Sequence, residues 1–156
     1  MYDINIYNLN LIIGLFGAPN SLIYQARKGF NGIDTSGVVL MSYPEFQALA
    51  IGAKDSGSPS TCLIQGEKGW LKIETAPNQL EKIICQIRGE DNIQEYALNQ
   101  YPHRLSHEFA AFAAMLTNKD FAARDLYLNI SLQVAETAEK ARKQAGISFP
   151  ADQQDH

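Results

Sequence analysis

The chain has 156 residues, of which 46% are hydrophobic and 19% charged, and its formal net charge at pH 7 is −4. This length and composition predict one soluble globular domain with a core of ordinary size. The acidic balance and the lack of a Lys/Arg cluster argue against nucleic-acid binding. No apolar run approaches the roughly 20 residues of a membrane span, and polar residues interrupt the N-terminal apolar run that a signal peptide needs. We therefore expect a cytoplasmic protein.

The first element predicted along the chain is a helix over residues 3–16. Its apolar residues recur at helical spacing and form one broad face: Ile4, Leu11, Ile12, Leu15 and Phe16. Gly17, followed by Pro19, is a typical stop signal for this helix.

Between residue 20 and residue 98 the pattern changes to short runs rich in β-branched and aromatic residues, separated by turn residues. The predicted strands cover residues 21–28, 38–43, 46–51, 61–65, 70–74, 83–87 and 94–98. Because the connections are short, and a parallel crossover needs a dozen residues or more, we expect antiparallel pairing.

Two helices are predicted near the end of the chain, over residues 105–116 and 125–145, the second ended by Gly146. This order predicts an α+β fold: an open, mainly antiparallel sheet of about six to seven strands with helices packed on one face. The other face is apolar enough to need cover, so we expect a homo-oligomer formed through it. Residues 1–150 are predicted to be one domain and residues 151–156 a flexible tail.

Several common catalytic signatures are missing from the sequence. It contains no GxGxxG opening a helix after a strand, no GxxxxGK[ST], and no GxSxG, HExxH or paired-cysteine metal motif. We therefore predict no cofactor site and no metal site in this chain. Alone, it is a poor candidate for a self-sufficient enzyme.

Two polar side chains on the first predicted helix are candidates for chemistry. Asp3 and Tyr7 are spaced i and i+4, which places them on one helix face, and a carboxylate beside a phenol is a plausible proton-transfer pair. The alternatives are an acid that stabilises the helix N-terminus and a tyrosine whose hydroxyl is hydrogen-bonded at an interface. Asn10, one turn further, either extends this polar stripe as a substrate-binding residue or is simply solvated.

Six short motifs follow one another along the chain in an order typical of one enzyme family. Tyr2–Tyr7 resembles the family's G-G-x-L-x-D-x-G-x-Y/H helix, and Gly17–Pro19 its G-x-P helix end. The other matches are Gly32–Asp34 to G-v-D, Ile64–Leu71 to I-x-G-t-x-G-x-i, His107–Phe109 to h-E-f and Gly146–Pro150 to G-I-x-f-P. The chain thus resembles the C-terminal domain of the glucose–fructose oxidoreductase / inositol dehydrogenase (Gfo/Idh/MocA) family.

The resemblance implies a two-domain NAD(P)-dependent oxidoreductase acting on a sugar, a polyol or a related hydroxy compound. In that family an N-terminal Rossmann domain holds NAD or NADP and a catalytic lysine, and the C-terminal domain shapes the substrate pocket and mediates oligomers. Tyr7 matches the family's proton donor or acceptor, and Asp3 orients it or contacts substrate hydroxyls. Asn5 stands where the family often has glycine, which is a departure. We accordingly expect that the chain begins partway into a larger protein and lacks the Rossmann domain.

Trp70, in the second predicted hairpin, either lines the substrate pocket, faces a partner subunit or packs on the sheet.

Three functions stay open for the chain: the substrate and oligomerisation part of a dehydrogenase, a non-catalytic dimerisation or small-molecule-sensing module, and a truncated fragment without activity. As an isolated chain it is expected to be inactive.

Overall fold

The computed structural model describes residues 2–97 and 99–153 and has three α-helices and seven strands in this range. The order is α1 (Asn5–Phe16), β1 (Ser21–Lys28), β2 (Asp34–Ser42), β3 (Gln47–Ala53), β4 (Cys62–Gly66), β5 (Gly69–Ile73), β6 (Ile83–Ile87), β7 (Ile93–Tyr96), α2 (Arg104–Asn118) and α3 (Phe121–Gln144). Short 3-10 turns occupy Pro77–Gln79 and Pro150–Gln153. Among the described helices, none combines the length and apolar composition that a bilayer-spanning segment requires.

The chain divides into two compact units. The first unit consists of Met1–Gly57 and Asp125–His156, so it holds α1, β1 to β3 and most of α3. The second unit is Ser58–Arg124 and holds β4 to β7 and α2. Each unit has its own antiparallel sheet, with strand orders β1-β2-β3 and β4-β5-β6-β7.

The core of the first unit follows from the alternation of side chains along its three strands. Tyr24 is paired with Val39, and Val39 with Ala50, so these three side chains share one face of the sheet. That face is covered by α1 and α3. The buried cluster that results consists of Leu9, Ile13, Tyr24, Val39, Met41, Tyr43, Ala50, Val134, Ala138 and Ala141.

The opposite face of the three-stranded sheet is also apolar, but its side chains are more exposed. Ile23, Leu49 and Ile51 are each more than half exposed there, and Val38 and Leu40 are only partly buried. Alternation predicts this arrangement, because these residues occupy the positions between the core residues of the same strands. The sheet is therefore apolar on both faces.

The second unit buries much less apolar surface. Its buried apolar residues among those described are Ile73 and Ile84, while α2 exposes Phe109, Phe112 and Leu116. Lys119 adopts a left-handed conformation, with φ of 52°, directly after α2, which ends that helix.

A buried arginine fixes the segment that follows α3. Arg142 is 3% exposed, and its guanidinium forms a two-pronged ion pair with Asp152, with N–O distances of 2.5 and 2.7 Å. It also donates to the Ile147 carbonyl oxygen at 2.7 Å and stacks 4.3 Å above the Phe149 ring. Asp152 accepts a further hydrogen bond from the Phe149 backbone, so this acid is tied to both ends of the turn.

The α+β class, the antiparallel pairing and the seven strands predicted from the sequence are confirmed. The strands form two sheets and not the one open sheet predicted from the sequence. β2 begins at Asp34, before the predicted residue 38, because Asp34, Ser36 and Gly37 pair with β1 although they are polar or glycine, and Ser36 and Gly37 also pair with β3. The tail predicted for residues 151–156 is described only as far as Gln153, and residues 154–156 and Leu98 of the last predicted strand lie outside the described residues.

Candidate functional site

Two asparagines attach the start of α1 to the edge of the three-stranded sheet. Asn5 is almost fully buried, and its amide donates to the Ala50 carbonyl oxygen at 3.2 Å. The Asn8 amide donates to the Asn5 side-chain oxygen at 2.7 Å and to the Ile51 carbonyl oxygen at 3.0 Å. Because unpaired buried amides are costly, these bonds fix the position of the helix start on β3.

Asn5 fits at this position because residue 52 is glycine. A Cβ atom on Gly52 would lie 3.0 Å from the Cβ atom of Asn5, closer than carbon atoms normally pack. The departure from the family pattern at Asn5, noted from the sequence, therefore has a local explanation: a larger residue on the helix faces a residue without a side chain on β3.

Asp3 lies in the turn that precedes α1, not within the helix. Its carboxylate forms an ion pair with the ammonium group of Lys54, the residue that follows β3, and both side chains are largely exposed. An exposed pair of this kind contributes little to stability. The pair does place a hydrogen-bond acceptor and a donor side by side next to the helix start.

Tyr7 and Asn10, the other two predicted site residues on α1, differ in what they contact. Tyr7 is 45% exposed, and its hydroxyl has no hydrogen-bond partner in the part of the chain that the structure describes. The Asn10 amide donates back to the Ile6 carbonyl oxygen of the same helix at 2.9 Å. Tyr7 therefore has a free phenol, whereas the Asn10 amide is already used within the helix.

A cavity of about 130 Å³ lies beside Asp3 and Lys54. Its walls come from the turn before α1, the start of β2, the end of β3 and the segment after α3; they are Tyr2, Asp3, Ile4, Asn5, Tyr24, Ile33, Asp34, Thr35, Ser36, Gly52, Ala53, Lys54 and Phe149. Tyr7 is not among these residues. The cavity thus brings together Asp3, Lys54 and the polar residues that begin β2.

Tyr24 forms the inner wall of this cavity, and its hydroxyl donates to the Asp34 carboxylate at 2.6 Å. Burial, together with this bond to a carboxylate, raises the pKa of the Tyr24 phenol well above its usual range. The ring can reach Asp34 because Gly37 lies underneath: a Cβ atom there would stand 2.4 Å from the ring. The phenol of Tyr24 is therefore held neutral and cannot serve as a base.

Besides Asp34, a second acid, Asp55, lies near the start of β2. The Asp55 carboxylate accepts hydrogen bonds from the hydroxyls of Thr35 at 2.7 Å and Ser36 at 3.4 Å, and Arg27 is 3.9 Å away. The bond from Thr35 is the main reason that the pKa of Asp55 lies below its usual range. Asp55 therefore stays ionised, and it fixes the Thr35 hydroxyl, one of the cavity walls.

Trp70, the fourth predicted site residue, belongs to the second unit. Its indole N–H donates to the Gln86 side-chain oxygen at 3.2 Å. No group of three or more His, Cys, Asp or Glu side chains suited to a metal ion occurs among the described residues.

Sequence reasoning did not find Lys54, Tyr24 or Asp34. Lys54 is separated from Asp3 by 51 residues, and Tyr24 is an alternating strand residue that reads as ordinary core. The usable signal was the pair of glycines, Gly37 and Gly52, inside strand patterns, because such glycines often mark a close approach of another group.

No family model matches the chain. It is 29% identical over 153 residues to the scyllo-inositol 2-dehydrogenase (NADP(+)) IolU of Bacillus subtilis (strain 168), covering 98% of this chain and 46% of that enzyme. It is 31% identical over 150 residues to the uncharacterized oxidoreductase YgjR of Escherichia coli (strain K12), covering 96% of this chain and 44% of that protein. The chain therefore spans a little under half the length of these curated relatives.

Solved structures of oxidoreductases share the fold at lower identity. UDP-N-acetylglucosamine 3-dehydrogenase GnnA from Acidithiobacillus ferrooxidans superposes with a TM-score of 0.67 at 15% identity, over 94% of this chain and 48% of that one. Aldose-aldose oxidoreductase from Caulobacter crescentus superposes with a TM-score of 0.62 at 19% identity, over 90% and 45% of the two chains. The resemblance stated from the sequence is thereby confirmed: the chain is similar to oxidoreductases of the Gfo/Idh/MocA type over a little under half of their length.

Proposed function

We propose that the chain supplies the substrate-binding and oligomerisation part of an NAD(P)-dependent oxidoreductase that acts on a sugar, a polyol or a related hydroxy compound. The main support is the similarity to the dehydrogenase IolU along nearly the whole chain. The helix on which the resemblance places the proton-transfer residue presents a free phenol at Tyr7, and an ion pair of Asp3 with Lys54 lies at its start.

The proposed roles follow from the chemistry of alcohol oxidation, which removes a hydride and a proton from one carbon–oxygen unit. Tyr7 takes the hydroxyl proton in oxidation when it is in its phenolate form, and in reduction it donates a proton as the phenol to the carbonyl oxygen. Asp3 accepts hydrogen bonds from neighbouring substrate hydroxyls, and Lys54 donates to them. Asn10 contributes less in this proposal, because its amide is bonded within α1.

The nicotinamide cofactor supplies the hydride acceptor or donor when it is bound. The described strands of this chain pair only in antiparallel fashion, and dinucleotide crevices of the Rossmann type form between parallel strands. This supports the inference that the cofactor and the family's catalytic lysine belong to a separate Rossmann domain.

A chimera tests the proposal. The part of IolU that this chain does not match is fused ahead of it, and NADP+ reduction is measured with scyllo-inositol and related polyols. We expect activity in the chimera and no NADPH-dependent thermal shift in this chain alone. In the chimera, Tyr7→Phe should lower kcat by about 10²- to 10⁴-fold, as loss of a general acid–base residue does.

Tyr127→Phe is the matched control, because Tyr127 is an exposed tyrosine of α3. Its chimera should keep the parent rate. Equal rates in Tyr7→Phe and in the parent would contradict the role of Tyr7. A polyol-dependent thermal shift of the chain without any activity in the chimera would favour the non-catalytic sensing module instead.

The proposed oligomer partner is a second copy of this chain on the apolar outer face of the three-stranded sheet. Leu49 and Ile51 are two residues apart on β3, so they share this face, and their exposed fractions are 61% and 65%. Contiguous apolar surface of this kind normally marks an interface. Sedimentation velocity at micromolar concentration should show at least a dimer, and Ile51→Asp should dissociate it; a monomeric parent chain would contradict this proposal.

A further inference from the structure

A second cavity, of about 410 Å³, opens at one end of the four-stranded sheet. Its side chains are Trp70, Gln65, Gln86, Arg88 and Glu90, together with one isoleucine, and three glycines complete the walls. The volume lies within the range of about 300–1,000 Å³ that is usual for small-molecule sites. One large aromatic side chain surrounded by hydrogen-bonding groups is the composition of such a site.

The strand register places an amide on each side of the tryptophan. Trp70 of β5 is directly opposite Gln65 of β4 and directly opposite Gln86 of β6, so the three side chains form a row on one face of the sheet. The indole N–H donates to the Gln86 oxygen, and the Gln86 amide donates in turn to the Glu90 carbonyl oxygen at 3.0 Å. The orientation of the indole is therefore fixed.

Glycine keeps this end of the sheet open. Gly66 and Gly69 are paired across the tight turn between β4 and β5. Gly69 has a φ of 149°, and a Cβ atom there would stand 2.2 Å from the Gln86 carbonyl oxygen. A side chain at position 69 would therefore collide with the backbone of β6, so this part of the cavity wall is restricted to glycine.

Three polar groups around the cavity are available to a ligand. Within the described part of the chain, the Gln65 amide, the Arg88 guanidinium and the Glu90 carboxylate form no hydrogen bond or ion pair through their side chains. Arg88 and Glu90 carry opposite charges, so the pair favours a neutral ligand over an anion.

We propose that this cavity binds a neutral polyhydroxylated six-membered ring, a sugar or a cyclitol, stacked on Trp70. The axial C–H groups of such a ring present an apolar face that matches the indole. Its equatorial hydroxyls project sideways, where amide, guanidinium and carboxylate groups both donate and accept hydrogen bonds. Binding here requires neither a cofactor nor Tyr7, so it is measured independently of any dehydrogenase activity.

The sequence contains a single tryptophan, so intrinsic tryptophan fluorescence reports on this cavity alone. The chain is titrated with methyl β-D-glucopyranoside and with scyllo-inositol, and a saturable change in emission is expected. Gln65→Ala should weaken binding about fivefold, the effect of one lost hydrogen bond. The fold should tolerate this change, because Gln65 is exposed and its side chain forms no hydrogen bond to the described residues. Gln100→Ala, a change at an exposed loop residue outside the cavity, should leave binding unchanged.

A second variant separates stacking from hydrogen bonding. Trp70→Leu is followed by saturation-transfer NMR on the same ligands, with circular dichroism to verify folding, and it should abolish the transfer signal. The proposal is overturned if neither ring compound changes the emission, if Gln65→Ala binds as well as the parent, or if the acyclic polyol mannitol or the anion AMP binds as well as the ring compounds.

Discussion

The two units of this chain are stabilised in different ways. The first unit packs α1 and α3 onto one face of a three-stranded sheet and contains nearly all of the buried apolar residues described. The second unit has more strands, but Ile73 and Ile84 are the only apolar residues buried among those described there, and its helix α2 exposes several large apolar side chains. The number of strands is therefore a poor guide to where the stability of this chain resides.

The polar contacts of the two units also differ in how deeply they are buried. In the first unit, Asn5, Tyr24 and Arg142 are buried. Each is hydrogen-bonded to a residue that is ten or more positions away in the sequence. In the second unit the ion pairs Lys72–Glu74 and Lys82–Glu95 are exposed. Because buried polar groups are costly when unpaired, the first unit specifies its packing more strictly.

The largest expected effect is on the free energy of unfolding, and a matched pair of leucine truncations, one in each unit, measures it. Leu9 is fully buried in the first unit, whereas Leu63 in the second is 54% exposed. Leu9→Ala should lower the free energy of unfolding by about 3 kcal/mol, and Leu63→Ala by less than about 1 kcal/mol. Urea denaturation followed by circular dichroism measures both, and equal losses in the two variants would remove the contrast between the units.

A smaller effect concerns pH. Burial and the bond to Asp34 raise the pKa of Tyr24 in the folded chain, whereas the unfolded tyrosine ionises near pH 10. The stability that this raised pKa contributes to the folded chain is therefore fully present below about pH 10, and it is lost as the pH rises through the higher pKa of the folded state. Tyr24→Phe should cost about 1.5 kcal/mol at pH 7 and flatten the loss of stability above pH 10.

Tyr96→Phe provides the control in the second unit, because Tyr96 is exposed and its hydroxyl bonds to the nearby Gln94. Thermal unfolding between pH 7 and pH 11 should show a change of less than about 0.5 kcal/mol and the same alkaline slope as the parent. If Tyr24→Phe keeps that slope as well, the alkaline transition has another origin.

Elements whose side-chain pattern is regular were predictable from the sequence. The strand predicted over residues 83–87 coincides with β6, and residues 21–28 coincide with β1, because alternation and turn residues are local signals. The separation into two sheets was not predictable, since it depends on which strands pair rather than on where strands occur. The beginning of β2 was missed because Asp34, Thr35 and Ser36 are polar and carry no apolar alternation.

For the site, sequence reasoning supplied candidates but not their surroundings. The spacing of Asp3 and Tyr7 suggested a pair, yet Asp3 lies before the helix and contacts Lys54 instead. Contacts between residues some 50 positions apart depend on strand register and on the path of the chain, which composition and periodicity do not encode. The catalytic role of Asp3 and Tyr7 stays a prediction, and so does substrate binding by Asn10 and Trp70.

The fit of Asn5 against Gly52 constrains how this sequence can diverge. As long as Asn5 occupies the helix start, any side chain at position 52 meets it at 3.0 Å, so neither site can change freely. A glycine at position 5 would release position 52, but it would also remove the amide that bonds to Ala50 and to Asn8. The two positions are therefore coupled: while residue 5 carries a side chain, glycine is the residue that fits at position 52 without a shift of the helix start.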